Sequence, residues 1–87
     1  MEHTFDPNFE NYRGKLPPDV RRRVPRKFEL LQQNPTHRSL RFKKVRSLWS
    51  VRISKGYRAL AREEADAYVW YWIGTHDEYE KRIRTDG

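Results

Sequence analysis

The C-terminal half of the chain contains two runs of alternating polar and apolar residues joined by Lys55-Gly56, a pattern that predicts a β-hairpin. In that hairpin Arg52 lies opposite Arg58. Like charges that face each other across a sheet repel by about a few tenths of a kcal/mol or more. We therefore expect an anion to bind between the two guanidinium groups. A histidine, His76, follows the end of the next predicted strand.

The same period-two alternation predicts four strands, at residues 39–45, 48–53, 57–62 and 68–73. Two helix-start patterns, Asp6-Pro7 and Pro17-Pro18-Asp19, predict helices over residues 7–15 and from residue 18 to the Asn34-Pro35 stop, the second kinked by Pro25 near residues 21–22. A short helix follows at residues 77–82. The predicted fold class is α+β: two N-terminal helices packed on an antiparallel four-stranded meander with a short C-terminal helix, in one domain over residues 1–87.

Strand register places cations on one face of this sheet. A two-residue loop at 46–47 sets Arg41 opposite Arg52 and Lys43 opposite Ser50, and the next loop sets Arg52 opposite Arg58. The other face carries apolar side chains that two amphipathic helices can cover. We therefore predict one core face and one basic face.

The last hairpin is expected to bring His76 to the basic face. Pairing Arg62 with Tyr68 places Arg58 beside Trp72, and His76 follows four residues later, near the Lys55-Gly56 turn. From that position it reaches the two arginines.

Composition limits the function classes. The chain has 87 residues, a net charge of +7 and no cysteine, which favours a nucleic acid or acidic polypeptide as partner and excludes disulfides, thiolate metal sites and cysteine nucleophiles. The three histidines, at positions 3, 37 and 76, lack metal-ligand spacing, so we expect no metal and no cofactor. No secretion signal or membrane span is recognised, and a cytoplasmic location is expected.

A basic face with a nearby histidine and tyrosine suits metal-independent RNA cleavage, in which a ribose 2′-OH attacks the neighbouring phosphate. Alternatives remain open for each part of this pattern. The arginines also fit a solvated strand face, and His76 with Asp77 also fits a cap at the start of the last helix. Trp70 and Trp72 are either buried by that helix or offer a surface on which bases stack.

The second helix carries a separate basic stripe, residues 21–23 with Arg26 and Lys27. Such a stripe is a solvated face, a contact to the phosphates of a large RNA, or a contact to an acidic partner.

Several segments together resemble the RelE/ParE superfamily of toxins from bacterial type II toxin–antitoxin systems. They are Leu16-Pro17-Pro18-Asp19-Val20, Asn34-Pro35, Trp49-Ser50-Val51-Arg52, Gly56-Tyr57-Arg58 and the run from Trp72 to Tyr79. The resemblance implies a RelE-like endoribonuclease that cleaves messenger RNA in the ribosomal A site without metal, inhibits translation and is held inactive by an antitoxin. ParE-type members share the fold but poison DNA gyrase, and an inactive RNA-binding relative is a third possibility.

The resemblance also implies roles for residues. Arg58 matches the family's phosphate-binding arginine, Arg52 a basic residue one strand earlier, His76 a position that holds arginine or histidine, and Tyr79 a late aromatic that stacks on a base or assists proton transfer. Ser50 stands where the family has an additional lysine, and no glutamate occupies the general-base position that some members use. The family's first strand is reduced here to about residues 3–5.

The predicted site has two parts. The catalytic residues are Arg52, Arg58, His76 and Tyr79, and the RNA phosphates are bound by Arg41, Lys43, Lys55, Arg22 and Arg26. The expected partners are the ribosome with its mRNA and a cognate acidic antitoxin that covers the basic face or displaces the C-terminal helix. The toxin alone is expected to be a monomer that enters a larger complex with its antitoxin.

Overall fold

The computed structural model describes all 87 residues and has three helices and five strands. In chain order these are β1 (Glu2–Phe5), α1 (Pro7–Arg13), α2 (Pro18–Gln33), a 3-10 turn (Arg38–Leu40), β2 (Lys43–Val45), β3 (Leu48–Ser54), β4 (Tyr57–Glu64), β5 (Ala67–Thr75) and α3 (His76–Asp86). The sheet order is β1-β5-β4-β3-β2. The α+β class, the two N-terminal helices and the β2 to β5 meander are confirmed.

The strand β1 makes the sheet five-stranded instead of four-stranded. It pairs in parallel with β5, so that His3 lies opposite Tyr68. The indole Nε1 of Trp70 donates a 2.9 Å hydrogen bond to His3 Nδ1, which ties the two strands together. Asp6 then caps α1 by accepting a bond from the Asn8 backbone at 2.9 Å, with proline at the first helical position.

One face of the sheet packs against α1 and α2. Helix α2 continues through Pro25 and buries the apolar side that its spacing predicts, at Val20, Val24, Phe28 and Leu31. These side chains meet the inner face of the sheet in one core cluster that includes Val51, Ile53, Ala59, Ala61, Trp70 and Ile73.

The opposite face was predicted to be a basic surface, and half of it is instead a second core. Helix α3 lies over that face, and its Tyr79 packs on Leu48, Leu60 and Trp72 of the sheet. The far end of α3 is held by the Tyr71 hydroxyl, which donates to Asp86 at 2.8 Å. Only the part of the face beyond α3 is left for a basic site.

Two register predictions are wrong and two are confirmed. Lys43 pairs with Ser50 and Arg52 with Arg58, as expected. Arg41 does not pair with Arg52, because residues 38–40 form the 3-10 turn and Arg41 adopts a left-handed conformation at φ 45°, two residues before β2 begins. The register of the last hairpin also differs: the turn at residues 65–66 sets Glu64 opposite Ala67, and an irregularity between Leu60 and Ala61 adds a further residue, for a total shift of two residues at Arg58.

That shift changes the neighbour of Arg58. Arg62 pairs with Val69 instead of Tyr68, and Arg58 lies opposite Gly74 instead of beside Trp72. Because Gly74 has no side chain, the Trp72 ring and the Glu78 carboxylate can occupy the space where its Cβ would lie. None of the three helices has the length and apolar character needed to cross a membrane.

Candidate functional site

A cavity of ≈ 270 Å³ opens between strands β2 to β4 and helix α3. Its walls combine cations, proton-transfer groups and a few apolar side chains: Arg41, Lys43, Val45, Ser50, Arg58, His76, Tyr79, Glu80 and Ile83. Five of the predicted site residues therefore meet in one place: Arg41, Lys43, Arg58, His76 and Tyr79.

Arg58 is fixed at the base of this cavity by the β3–β4 turn. Its Nη1 donates to the carbonyl oxygens of Ser54 at 2.9 Å and Tyr57 at 3.0 Å. Burial lowers the pKa of Arg58 from its ordinary value, and the nearby positive charges of Arg52 and Arg41 act in the same direction. No carboxylate forms a salt bridge with it. The guanidinium is thus held in place by neutral carbonyls, and its charge is available to an anion.

The row of cations continues from the cavity to α2. Arg52 lies opposite Arg58 in β3 and forms no salt bridge. The pKa of Lys27 is lowered, first by burial and then by the charges of Arg52 and Arg23. Its ammonium group donates a 3.4 Å hydrogen bond to Ser39 Oγ. Repulsion among these groups makes this stretch of surface favourable for a polyanion.

His76 is positioned by the start of α3. Thr75 caps the helix, its Oγ1 accepting from the Glu78 backbone at 3.2 Å while Glu78 Oε1 accepts from the Thr75 backbone at 3.0 Å. The hydrogen bonds that the Glu78 carboxylate accepts from Thr75 lower the pKa of Glu78. The alternative in which His76 and Asp77 form the cap is therefore wrong. The His76 backbone donates to the Gly56 carbonyl at 2.8 Å, which joins α3 to the β3–β4 turn.

The imidazole of His76 is 45% exposed and reaches the cavity. Its Nε2 lies 3.5 Å from Glu80 Oε1, one turn further along α3. Its ring centroid is 5.7 Å from that of Tyr79.

Tyr79 is only 6% exposed, because its ring packs on Leu48, Leu60 and Trp72. A ring buried in this way has no free face on which a base can stack. Every polar side-chain atom that is fully buried in the structure has a hydrogen-bond partner. The Tyr79 hydroxyl has none, so it opens to the cavity that it lines. Of the two roles predicted for Tyr79, proton transfer fits this geometry and base stacking does not.

Four predicted residues, Arg52, Lys55, Arg22 and Arg26, lie outside the cavity. Lys55 sits in the exposed β3–β4 turn, and Arg22 and Arg26 lie with Asp19 on the outer side of α2, at a separate surface depression. Trp70 and Trp72 are buried, at 0% and 2% exposure, so neither offers a surface for base stacking. Trp72 is buried by α3 as expected, whereas Trp70 lies in the core on the α1 and α2 side of the sheet, so the prediction that both share one face is wrong.

Glu80 is the one site residue that the sequence did not single out, whereas Ser50 was expected opposite Lys43 and Lys27 in the basic stripe of α2. Ser50 lies at the buried floor of the cavity, Glu80 faces His76, and Lys27 extends the cation row. The i,i+4 spacing of His76 and Glu80 is a sequence signal for their contact, but it has meaning only once the helix is known to begin at His76. The structure contains no group of three or more His, Cys, Asp or Glu side chains that could hold a metal ion.

Comparison with known proteins places the chain in a family. Residues 18–81 match the ParE-like toxin domain. The fold is similar to the RelE–RelB toxin–antitoxin complex of Methanococcus jannaschii (TM-score 0.69, 16% identity, 90% of this chain and 95% of that one). It is also similar to the RelBE2 toxin–antitoxin complex of Mycobacterium tuberculosis (0.63, 21%, 86% and 96%) and to YafQ of E. coli (0.64, 10%, 91% and 97%).

No curated protein matches the sequence. At these identities the structural matches show the shared fold, and the family match covers most of the chain. The chain therefore belongs to the ParE-like toxin domain family, and it shares the fold of the RelE toxins in these toxin–antitoxin complexes.

Proposed function

We propose that this toxin is a ribosome-dependent endoribonuclease that cleaves messenger RNA without a metal ion and so inhibits translation. The observation that carries the proposal is the Arg58 guanidinium, which has no carboxylate partner and faces a cavity containing His76 and Tyr79. Cleavage by the neighbouring 2′-OH requires a cation that binds the phosphate and two groups that transfer protons.

In the proposed reaction the ribose 2′-oxygen attacks phosphorus and the bond to the 5′-oxygen breaks. The products are a 2′,3′-cyclic phosphate and a 5′-hydroxyl. Negative charge that builds on the phosphoryl oxygens is stabilised by Arg58, with Arg52 beside it. One proton leaves the 2′-oxygen and one reaches the 5′-oxygen, and His76 and Tyr79 are the groups that carry them.

Dependence on the ribosome is proposed from the family resemblance and from the shape of the site. The cavity is open, and it has no exposed aromatic face that would fix a base. A substrate held by another particle in the reactive geometry avoids the entropic cost of ordering a flexible strand. The cations outside the cavity, Lys55, Arg22 and Arg26, are proposed to contact RNA phosphates around it.

The proposed regulator is an acidic antitoxin. Two of the similar structures are complexes of a toxin with its antitoxin. This chain has a net charge of +7, and an acidic segment that folds on binding can cover a wide basic surface. We propose that the antitoxin covers the Arg41, Arg52 and Arg58 surface or displaces α3.

A gyrase-directed activity is the second candidate, because the family match is to the ParE-like toxin domain. It does not require His76 or an Arg58 guanidinium that is available to a phosphate.

The test is to induce the chain in cells and map the 5′ ends of transcripts, with Arg58→Ala as the comparison. The proposal predicts new 5′ ends inside translated codons, which are lost in Arg58→Ala. Intact transcripts together with a rising DNA-damage response would contradict it and support the gyrase candidate.

A further inference from the structure

Glu80 is the only carboxylate that lines the cationic cavity. It is 47% exposed and lies one helical turn after His76, with Oε1 at 3.5 Å from the imidazole Nε2. It makes no hydrogen bond and no other ion pair. The rest of the charge on the cavity wall is positive, from Arg41 and Lys43 as well as Arg58.

A contribution to stability explains the position of Glu80 poorly. An exposed pair of opposite charges on a helix contributes little to stability, and α3 is already fixed by its capping box and by the Tyr71 contact to Asp86. An acidic group beside the proposed phosphate position also opposes anion binding. Glu80 therefore needs a role that offsets this unfavourable charge.

A neutral imidazole carries one proton, on either Nδ1 or Nε2, and the neighbour of one nitrogen decides the state of the other. A carboxylate next to Nε2 keeps the proton on Nε2 and leaves the Nδ1 lone pair free. The contact is long for a hydrogen bond, but such contacts shorten when the substrate is bound.

We infer that Glu80 is a positioning residue that holds the proton of His76 on Nε2, so that Nδ1 accepts the proton of the ribose 2′-hydroxyl. The inference rests on the proposed ribonuclease function and adds the identity of the general base. The imidazolium that forms is stabilised by the Glu80 carboxylate, as a carboxylate stabilises the histidine of a catalytic triad.

The proton count of this step closes. The 2′-hydroxyl proton moves to Nδ1, the 2′-oxygen bonds to phosphorus, and the 5′-oxygen leaves with a proton from the Tyr79 hydroxyl. Water then protonates the Tyr79 phenolate, and the imidazolium returns its proton to solvent.

The kinetic test compares Glu80→Gln with the wild type in single-turnover cleavage of ribosome-bound transcripts. We expect a loss of about 10-fold, smaller than the 10²–10⁴ that a general base supplies, because Glu80 acts through His76. Asp77→Asn removes an equal charge from the first turn of α3, where Asp77 is exposed and forms no ion pair with His76, and it should cleave at the wild-type rate.

The variant His76→Gln with Glu80→Gln should cleave no more slowly than His76→Gln alone, because a positioning residue has no effect once its target is gone. A further loss in the double variant would overturn the inference. Faster cleavage by Glu80→Gln would also overturn it, because Glu80 would then act only by repelling the phosphate.

A nitrogen NMR measurement of the His76 ring gives a readout that does not depend on cleavage. We expect the Nε2–H tautomer in the wild type and a mixture of tautomers in Glu80→Gln, and a wild-type ring protonated on Nδ1 would refute the inference. Failure of the folded wild type to cut RNA would refute the proposed function. Cleavage that is unaffected by Glu80→Gln would refute only the role of Glu80.

Discussion

Replacing Arg58 with alanine should separate catalysis from stability. The substitution removes the hydrogen bonds that Arg58 Nη1 donates, and each of them contributes about 0.5–1.5 kcal/mol net to stability. Relief of repulsion from Arg52 and Arg41 partly offsets that loss. We expect the free energy of unfolding to fall by about 1–2 kcal/mol, which a domain with a stability of about 5–15 kcal/mol tolerates.

The catalytic effect should be larger. Loss of one transition-state charge contact typically costs about 2.7–4 kcal/mol, or 10²–10³ in rate. The assay is single-turnover cleavage of ribosome-bound transcripts, with urea unfolding of the same sample to measure stability. Arg58→Lys should fall between the wild type and Arg58→Ala, because it keeps the charge without the planar fork of donors.

Arg84→Ala is the matched control for Arg58→Ala. Arg84 is exposed on α3 and forms no salt bridge, so its loss changes the net charge equally without changing the cavity. The reasoning about Arg58 is refuted if the folded Arg58→Ala protein cleaves at the wild-type rate, or if Arg84→Ala loses as much activity.

Two further predictions concern stability. Gly74→Ala should destabilise the protein by about 1–3 kcal/mol in urea unfolding. The alanine Cβ would lie 2.4 Å from Cζ2 of the buried Trp72 ring and 2.9 Å from Glu78 Oε1. A variant as stable as the wild type would contradict that packing. Burial, with the N-terminal charge, lowers the pKa of His3 from 6.5, so unfolding exposes a group that binds a proton more readily. The free energy of unfolding should therefore decrease as pH falls below about 6.5. The His3→Asn variant keeps an acceptor for Trp70 but does not titrate, so its free energy of unfolding should decrease less. An equal decrease in both proteins would contradict this.

Local patterns were sufficient to predict the hairpin that carries the site. The turn at Lys55-Gly56 and the alternation on each side determine that Arg52 faces Arg58, and the loop before β3 sets Lys43 opposite Ser50. These pairings depend on neighbours a few residues apart, which is the range over which sequence periodicity is informative.

Features that depend on distant contacts were not predictable in this way. The parallel pairing of β1 with β5 joins residues more than sixty positions apart, and a four-residue strand has no distinctive periodicity. The irregularity at Leu60 and Ala61, which adds to the shift that sets Gly74 opposite Arg58, leaves no mark on the apolar pattern. The left-handed Arg41 is a non-glycine residue in a conformation that its type does not favour, so local propensity predicts a strand there.

The burial of Tyr79 shows the same limit within the site. Its position in the sequence is compatible with an exposed aromatic, and only the packing of α3 over Leu48, Leu60 and Trp72 closes its ring to solvent. The assignment of proton transfer to its hydroxyl therefore depends on the fold and not on the motif.

The most direct test of the central claim is the chemistry of the cut ends. Purified toxin is added to ribosomes carrying a defined transcript, and the new termini are analysed. The account predicts one cut in the codon at the A site, with a 2′,3′-cyclic phosphate on one fragment and a 5′-hydroxyl on the other, and no cut with Arg58→Ala. An intact transcript, with DNA supercoiling by gyrase inhibited at the same toxin concentration, would contradict it.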